Sequence, residues 1–256
     1  MEVNLEYYSL ESDNKYMSCS QLDKFERCEA GYIAYLEGNN PNENSTAMLI
    51  GNYVHSWCEG TLDEFKTKYP EIFTLKGDLK SDFKHADTMI SSLKKDKYSM
   101  YMLQGTKEDI FIGEIFGIPW KIRVDVWNEP KNRVIDLKTT KNIYEKEWKE
   151  GKKVSFLEIY NYQRRAAVYS EIIKQNTSRE LPEFYIVAIS KETIPDKAII
   201  DMTDHERWQF ELYNVKAQLE RLKLVKSKKV ESIRCEKCNY CKRTKVIKKI
   251  INYKEI

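Results

Sequence analysis

With 256 residues, 41% of them hydrophobic and 32% charged, and only 9 Gly and 6 Pro, the chain can bury a core and is neither disordered nor fibrous in composition. No apolar run approaches the length needed to cross a bilayer. The opening Met1-Glu2-Val3-Asn4 has neither a basic nor an apolar leader, so the expected setting is the cytoplasm, with six cysteines reduced or metal-bound. The net charge of +3 is unevenly spread: residues 1–150 carry 20 basic and 26 acidic side chains, whereas residues 221–256 carry 13 and 3, a basic end that suits nucleic acid or a solvated tail equally well.

Residues 1–18 read as an irregular polar arm. Ser18 or Ser20 caps an expected helix over 20–37, which Gly38-Asn39-Asn40-Pro41 breaks. A second helix is expected over 46–66 and a third, interrupted segment over 78–104. The pattern changes near 109. Three strands follow as an antiparallel meander: one around 110–116, one over 120–127 and, after the turn Asn128–Asn132, one over 133–138. A long helix over 155–176, a strand over 184–189, an edge strand over 198–200 and a helix over 203–224 complete the pattern. This order implies a mixed α/β domain, a central sheet covered by helices. Within a single domain, residues 1–108 form a helical part, 109–224 the core, and 225–256 a basic, β-prone, cysteine-containing tail packed back on the N-terminal part.

Asp136 and Lys138 alternate with Ile135 and Leu137, so the two polar side chains share one face of a strand that is otherwise apolar. Pairing around the 128–132 turn brings Asp125 level with Asp136. Two converging carboxylates suit a hard divalent cation such as Mg2+ or Mn2+, and a neighbouring lysine suits phosphodiester chemistry. The bland reading is a solvated strand face with an ion pair. Glu114, beyond a bend at Gly117, is a candidate third carboxylate, and His55 a candidate ligand or a structural histidine. Gln163 is a candidate for contact with water or phosphate, and Tyr169 for the same or for the core.

The run Gly113-Glu114, Arg123-Val124-Asp125, Val134-Ile135-Asp136-Leu137-Lys138-Thr139-Thr140 and Tyr162-Gln163 with Tyr169, preceded by Gly51-x-x-x-His55, resembles the PD-(D/E)XK nuclease superfamily. More narrowly it resembles the RecB/RecE-type exonucleases, including phage-encoded members, from about residue 7 to 245. Val124 stands where proline is usual. The resemblance implies a restriction-endonuclease-like core, with His55, Asp125 and Asp136 at the metal, Lys138 as catalytic lysine, and Gln163 and Tyr169 as companions. It also implies a Mg2+- or Mn2+-dependent DNA exonuclease, acting 5′-to-3′ on duplex ends beside a single-strand annealing protein, in a bacterial host's cytoplasm if phage-encoded. A homo-oligomeric ring would fit such relatives.

Cys235-x-x-Cys238-x-x-Cys241 supplies three thiols, and a four-ligand site needs one more, for which Cys28 is the best candidate. Four thiolates hold either zinc or a [4Fe–4S] cluster. The tight run suits a cluster, and AddB-like and CRISPR-adaptation nucleases are similar, with one cysteine before the core and three after. Lys237, Lys242, Arg243 and Lys245 beside these cysteines are candidates for contact with the DNA backbone. The alternatives are a CRISPR-adaptation or RNA-processing nuclease of the same fold, a catalytically silent DNA-binding module, and a structural zinc protein.

Overall fold

The structure, a computed structural model, describes residues 6–39, 45–149, 151–247 and 250–255. In chain order the helices before the sheet are α1 (Leu10–Lys15), α2 (Cys19–Arg27), α3 (Glu29–Leu36), α4 (Thr46–Glu59), α5 (Leu62–Lys68), α6 (Ser81–Lys95) and α7 (Lys97–Met102). Then follow β1 (Thr106–Ile115), β2 (Ile118–Asn128), β3 (Arg133–Thr140), the short strands β4 (Glu147–Lys149) and β5 (Lys152–Val154), α8 (Phe156–Ile159) and α9 (Tyr162–Thr177). β6 (Glu183–Ser190), β7 (Lys197–Asp201), α10 (His205–Lys226) and α11 (Asn239–Arg243) complete the fold. The chain divides into two compact units, Glu43–Val215 and the paired ends Met1–Asn42 with Lys216–Ile256.

Expected long helices are cut wherever a local cap competes with continuation. The one over 20–37 splits at Cys28, which is extended (φ −164°, ψ 102°) and whose thiol accepts the Gly31 amide to start α3. The segment 46–66 splits at Gly60, a left-handed C-cap (φ 86°). At Asp96 the carboxylate accepts the Ser99 amide (2.8 Å) and starts α7, dividing 78–104. Ser155 and Glu158 form a capping box that makes α8 a single short turn, and α9 begins after the left-handed Asn161. The arm contains α1, capped by Ser9, and the expected β-prone tail holds α11 among its described residues.

In the Glu43–Val215 unit the strand order is β1-β2-β3-β6-β7, with β3 and β6 parallel and all other neighbours antiparallel, a mixed sheet as expected. Phe116 and Gly117 both have positive φ (51° and 72°), so β1 and β2 join through a two-residue turn that matches the strand twist. Pleat alternation sends Val126, Ile135, Leu137, Val187 and Ile189 into a core with Tyr53 and Val54 of α4 and Phe83, Met89 and Leu93 of α6. The opposite face meets α9: Tyr169 packs edge-on against Phe184, and Arg165 reaches Asp136. Gly113 permits the approach of α9 to β1, because a Cβ there would stand 2.6 Å from Gln175 Oε1 and 3.2 Å from Ile172.

In the unit made of the two ends, Glu29 of α3 accepts a two-pronged bond from Arg221 (2.9 and 2.8 Å) and the Ile233 amide (2.8 Å). The Ala30 amide bonds the Ile233 carbonyl (3.1 Å). The guanidinium of Arg221 holds the Glu29 carboxyl below its usual range. These bonds bring Cys28 and Cys241, 213 positions apart, to a sulfur–sulfur distance of 3.5 Å.

Candidate active site

The β2–β3 ladder pairs Asn128, Trp127 and Val126 with Arg133, Val134 and Ile135, and stops there. One step further along the same register stand Asp125 and Asp136. The strands part at this step, and the amide that would continue the ladder, that of Leu137, instead donates to Asp125 Oδ2 (2.8 Å). A side-chain carboxylate thus satisfies a backbone donor that the splayed strands leave over. Lys138 Nζ lies between both carboxylates, 3.2 Å from Asp125 Oδ2 and 2.8 Å from Asp136 Oδ2. Asp136 is 2% exposed and also pairs with Arg165 of α9 (3.5 Å).

His55 arrives from the other side of the sheet's end. Gly51, one helical turn earlier, lets α4 lie close to β3, since a Cβ there would already stand 3.4 Å from Thr139 Oγ1. The His55 Nδ1 atom is 3.5 Å from Asp125 Oδ2. Burial pulls the imidazole below its ordinary range against the pull of Asp125, so the ring is neutral at pH 7, the form that binds metal.

The carboxylate that joins them is Glu108, not Glu114. The β1–β2 register places Lys107 opposite Val126 and Asp109 opposite Val124, which sets Glu108 across from Asp125. Glu108 itself makes no ladder pair and is left-handed (φ 58°), a costly backbone for a non-glycine residue. Donor atoms of His55, Glu108 and Asp125 all lie within 4.8 Å of one another. Glu114 stands opposite Pro119 at the turn end of the same hairpin and is exposed, six residues or about 20 Å of strand away. Its backbone amide and carbonyl are bonded by the Gln175 side chain (2.9 Å each), so the Gly113-Glu114 pair serves the seating of α9. Glu114→Ala is therefore expected to leave catalytic rate and metal affinity within about twofold, because exposed side chains away from the site contribute little. A cleavage assay under saturating Mn2+ checks it.

Burial pushes the Asp125 carboxyl up, but Lys138, His55 and the Leu137 amide outweigh it and hold the group well below the usual carboxylate range. The same two aspartates hold Lys138 charged against its burial. Glu108 goes the other way: burial, with Asp125 and Glu59 adding repulsion against the pull of Arg123 (2.6 Å), pushes it up to about 8. Buried Oε2 of Glu108 and Oδ2 of Asp136 accept no hydrogen bond, although each sits in an ion pair. Oxygens held this way, beside a neutral imidazole, fit a divalent cation.

The sequence-derived candidates separate. His55, Asp125, Asp136 and Lys138 come together. Gln163 Oε1 accepts the indole N–H of Trp208 (3.1 Å), and the Tyr169 ring is buried against Phe184. The α9 residues that face the carboxylates are Arg165 and Tyr162, whose buried phenol is pushed up to about 12 by desolvation while Lys138 and Arg165 pull it down. Arg165 stacks over the Tyr162 ring at 5.4 Å. Glu108 was legible in principle: a two-residue turn at Phe116–Gly117 fixes which residue opposes Asp125.

In the unit formed by the chain ends, Sγ atoms of Cys28, Cys235, Cys238 and Cys241 lie within 4.8 Å of one another. Amides of Gly31, Cys238 and Cys241 point at the sulfurs of Cys28, Cys235 and Cys238 (3.3, 3.3 and 3.5 Å). Burial pushes the Cys28 thiol up to about 12, whereas N–H donors, that of Lys237 first, pull Cys235 down to about 6. Lys237, Lys242, Arg243 and Lys245 are exposed around this group. Among the described residues no helix is long and apolar enough to cross a membrane.

A mixed sheet with Asp-x-Lys on one strand, a second aspartate level with it and a helix histidine beside them defines a nuclease fold of the PD-(D/E)XK type. Comparison with known proteins gives the family: residues 18–244 match the PDDEXK-like domain of unknown function (DUF3799), and the chain belongs to that family. The crystal structure of a "Putative exonuclease" from Eubacterium rectale superposes with a TM-score of 0.92 and 38% identity, covering 100% of this chain and 97% of that one. A second solved structure, SSO0001, aligns at 12% identity and a TM-score of 0.31 over 78% of this chain and 86% of that one. No curated protein matches.

Proposed function

We propose that the protein is a Mg2+- or Mn2+-dependent deoxyribonuclease that degrades DNA from an end, 5′-to-3′, in phage-type recombination or repair with an annealing protein as partner. The observation that carries the nuclease reading is the convergence of His55, Glu108 and Asp125 beside the Asp136–Lys138 pair. His55, Glu108 and Asp125 would hold the cation. A divalent cation bound there would acidify a water and offset charge developing on the phosphate. Lys138, held by the two aspartates and the Leu137 carbonyl (3.0 Å), would place its positive charge beside the scissile phosphate. Arg165, tethered to Asp136 and to the Tyr162 ring, presents a second cation to the same phosphate. The exonuclease reading draws support from the name of the Eubacterium rectale relative, and the direction from the resemblance to RecE-type enzymes.

Duplex DNA carrying a label at either the 5′ or the 3′ end tests both parts. Rapid release of the 5′ label as a mononucleotide, with closed circles left intact, is the expected result. Nicking of circles or early loss of the 3′ label would overturn the polarity and the end requirement.

Glu108 makes its own prediction. A carboxyl whose folded pKa (about 8) exceeds its ordinary 4.5 keeps its proton longer in the native chain, so its contribution to stability is complete at low pH and is lost as pH rises through that window. Metal-free Glu108→Gln is therefore expected to melt higher than wild type at pH 8.5, by about 2–4 °C for each kcal/mol recovered, and to lose that advantage at pH 5. The same variant binds Mn2+ more weakly. Thermal melts across pH and calorimetric titration read the two effects.

The sulfur spacing favours a single zinc ion over a [4Fe–4S] cluster at the cysteine site. One tetrahedral zinc with Zn–S bonds of about 2.3 Å places its sulfurs about 3.8 Å apart. The Cys28–Cys241 and Cys235–Cys241 separations are 3.5 and 4.0 Å. A cubane, with irons and sulfides between the thiolates, holds them far wider apart. Metal analysis of anaerobically purified protein decides: one zinc per chain and no visible colour is expected, and a brown protein rich in iron and sulfide would reject the zinc reading. The exposed cations Lys237, Lys242, Arg243 and Lys245 would meet DNA phosphates, and their joint removal should flatten the salt dependence of binding.

A further inference from the structure

Residues 155–161 of the segment between β3 and α9 are expected to open a long helix, but the structure places a hairpin and a short helix in that segment, and the site chemistry does not use them. The segment leaves β3 directly after Lys138-Thr139-Thr140 and re-enters at Tyr162, so both of its ends are fixed at the active site. Within it β4 and β5 form a two-stranded hairpin in which Glu147 pairs with Val154, Trp148 with Lys153 and Lys149 with Lys152. Residues paired across an antiparallel ladder share a face, and the faces alternate along each strand. Val154, at the end of the hairpin, is buried (2%), whereas the other five paired residues, Trp148 and Lys153 among them, are exposed. Trp148 is 71% exposed there, an unusual place for the largest apolar side chain.

A second ring sits at the other end of the segment. Tyr160 is 59% exposed and its ring centroid is 6.2 Å from that of Tyr162. Tyr162 in turn lies under Arg165, and Arg165 pairs with Asp136. The surface ring is thus one contact from Tyr162 and two from Arg165, the residues that face the carboxylates. Exposed flat rings beside lysines are the components of a single-strand surface: every base has a π-face to stack, and the lysine meets the backbone phosphate. A duplex keeps its bases stacked on one another and offers these rings no face.

We propose that Trp148, Lys153 and Tyr160 form a stacking platform for unpaired bases of a DNA strand at the active site, with Trp148 and Tyr160 receiving bases and Lys153 an adjoining phosphate. The proposal rests on the nuclease reading for its location but not for its measurement. Trp148 provides the signal, because Trp120, Trp127 and Trp208 are buried and Trp57 is half-buried. Single-stranded oligodeoxythymidine, titrated without added divalent cation so that nothing is cut, should quench the intrinsic fluorescence. Trp148→Phe should remove most of that quenching. Trp148→Ala and Tyr160→Ala should each weaken single-strand binding at least about fivefold, the low end for loss of a stacked base. Affinity for a blunt duplex of equal length should move less than twofold. Both side chains are exposed, so melting temperatures should match wild type and serve as the fold control. Unchanged single-strand affinity in the Trp148→Ala, Tyr160→Ala double variant, or equal losses for duplex and single strand, would overturn the platform. A wild-type protein that is quenched normally yet cuts no DNA with Mn2+ would sink the nuclease reading and leave the platform standing.

Discussion

Alanine in place of Asp136 or Lys138 is expected to lower Mg2+- or Mn2+-dependent DNA cleavage by at least about 10²–10³-fold, the range for removing one preorganised charge-stabilising group. DNA binding measured in Ca2+ should stay within a fewfold of wild type. The two variants should differ in stability. Asp136 is buried and paired with Lys138 (2.8 Å) and Arg165 (3.5 Å), so its removal leaves Lys138 with Asp125 as its carboxylate partner and takes this carboxylate from Arg165. Breaking a buried pair in this way costs about 3–5 kcal/mol, offset in part where water reaches Arg165. Lys138→Ala leaves two carboxylates, Asp125 and Asp136, that a divalent cation can draw together, so its melting temperature should recover on adding Mn2+. Asp136→Asn, which keeps the shape and drops the charge, separates chemistry from fold. Normal cleavage by any of the three variants would show that the centre lies elsewhere.

The second large effect lies at the chain ends. Cys28→Ser removes a thiol that is 7% exposed and that also caps α3 through the Gly31 amide. A structural zinc contributes about 10–16 kcal/mol of folding free energy at neutral pH, more than most domains possess in total. With zinc as the proposed metal, the variant should lose it, and the segments around α2, α3 and α11 should become sensitive to limited proteolysis. Cys58→Ser, half-buried and outside the sulfur group, is the matched control and should keep the metal. Retention of one zinc by Cys28→Ser would remove Cys28 from the ligand set.

Much of the site was legible because strands are simple. Period-2 alternation around Asp136 and Lys138 and a single turn at 128–132 were enough to bring Asp125 level with Asp136. The next strand failed for a definite reason. With the β1–β2 turn recognised only as a bend near Gly117, nothing counted back to Glu108, and the acidic residue nearest the glycine motif, Glu114, took its place. Phe116 in a left-handed turn carries no strong composition signal, nor does Glu108 with positive φ. Helix lengths were overestimated for a related reason: Cys28 and Asp96 restart helices through side-chain caps that hydrophobic periodicity does not register. Gln163 and Arg165 lie two apart on α9, and periodicity alone does not choose which of them turns to the carboxylates. The contact between residues 28 and 241 depended on matching thiols by count, a long-range pairing that no local pattern encodes.

That contact also sets an order of events while the chain is being made. The sulfur of Cys28 leaves the ribosome more than two hundred residues before Cys241, and for all that time its partners do not exist. The continuous segment Glu43–Val215, which holds every residue of the proposed catalytic centre, emerges whole in the interval. The segment that carries the proposed catalytic centre is therefore synthesised in full while Cys28 still lacks Cys241. The thiol of Cys28 stays exposed to oxidants until the last cysteine arrives. Ribosome-bound chains stalled before and after Cys241 should differ in the reactivity of that one sulfur, so translation of the final segment closes the window in which it can be damaged.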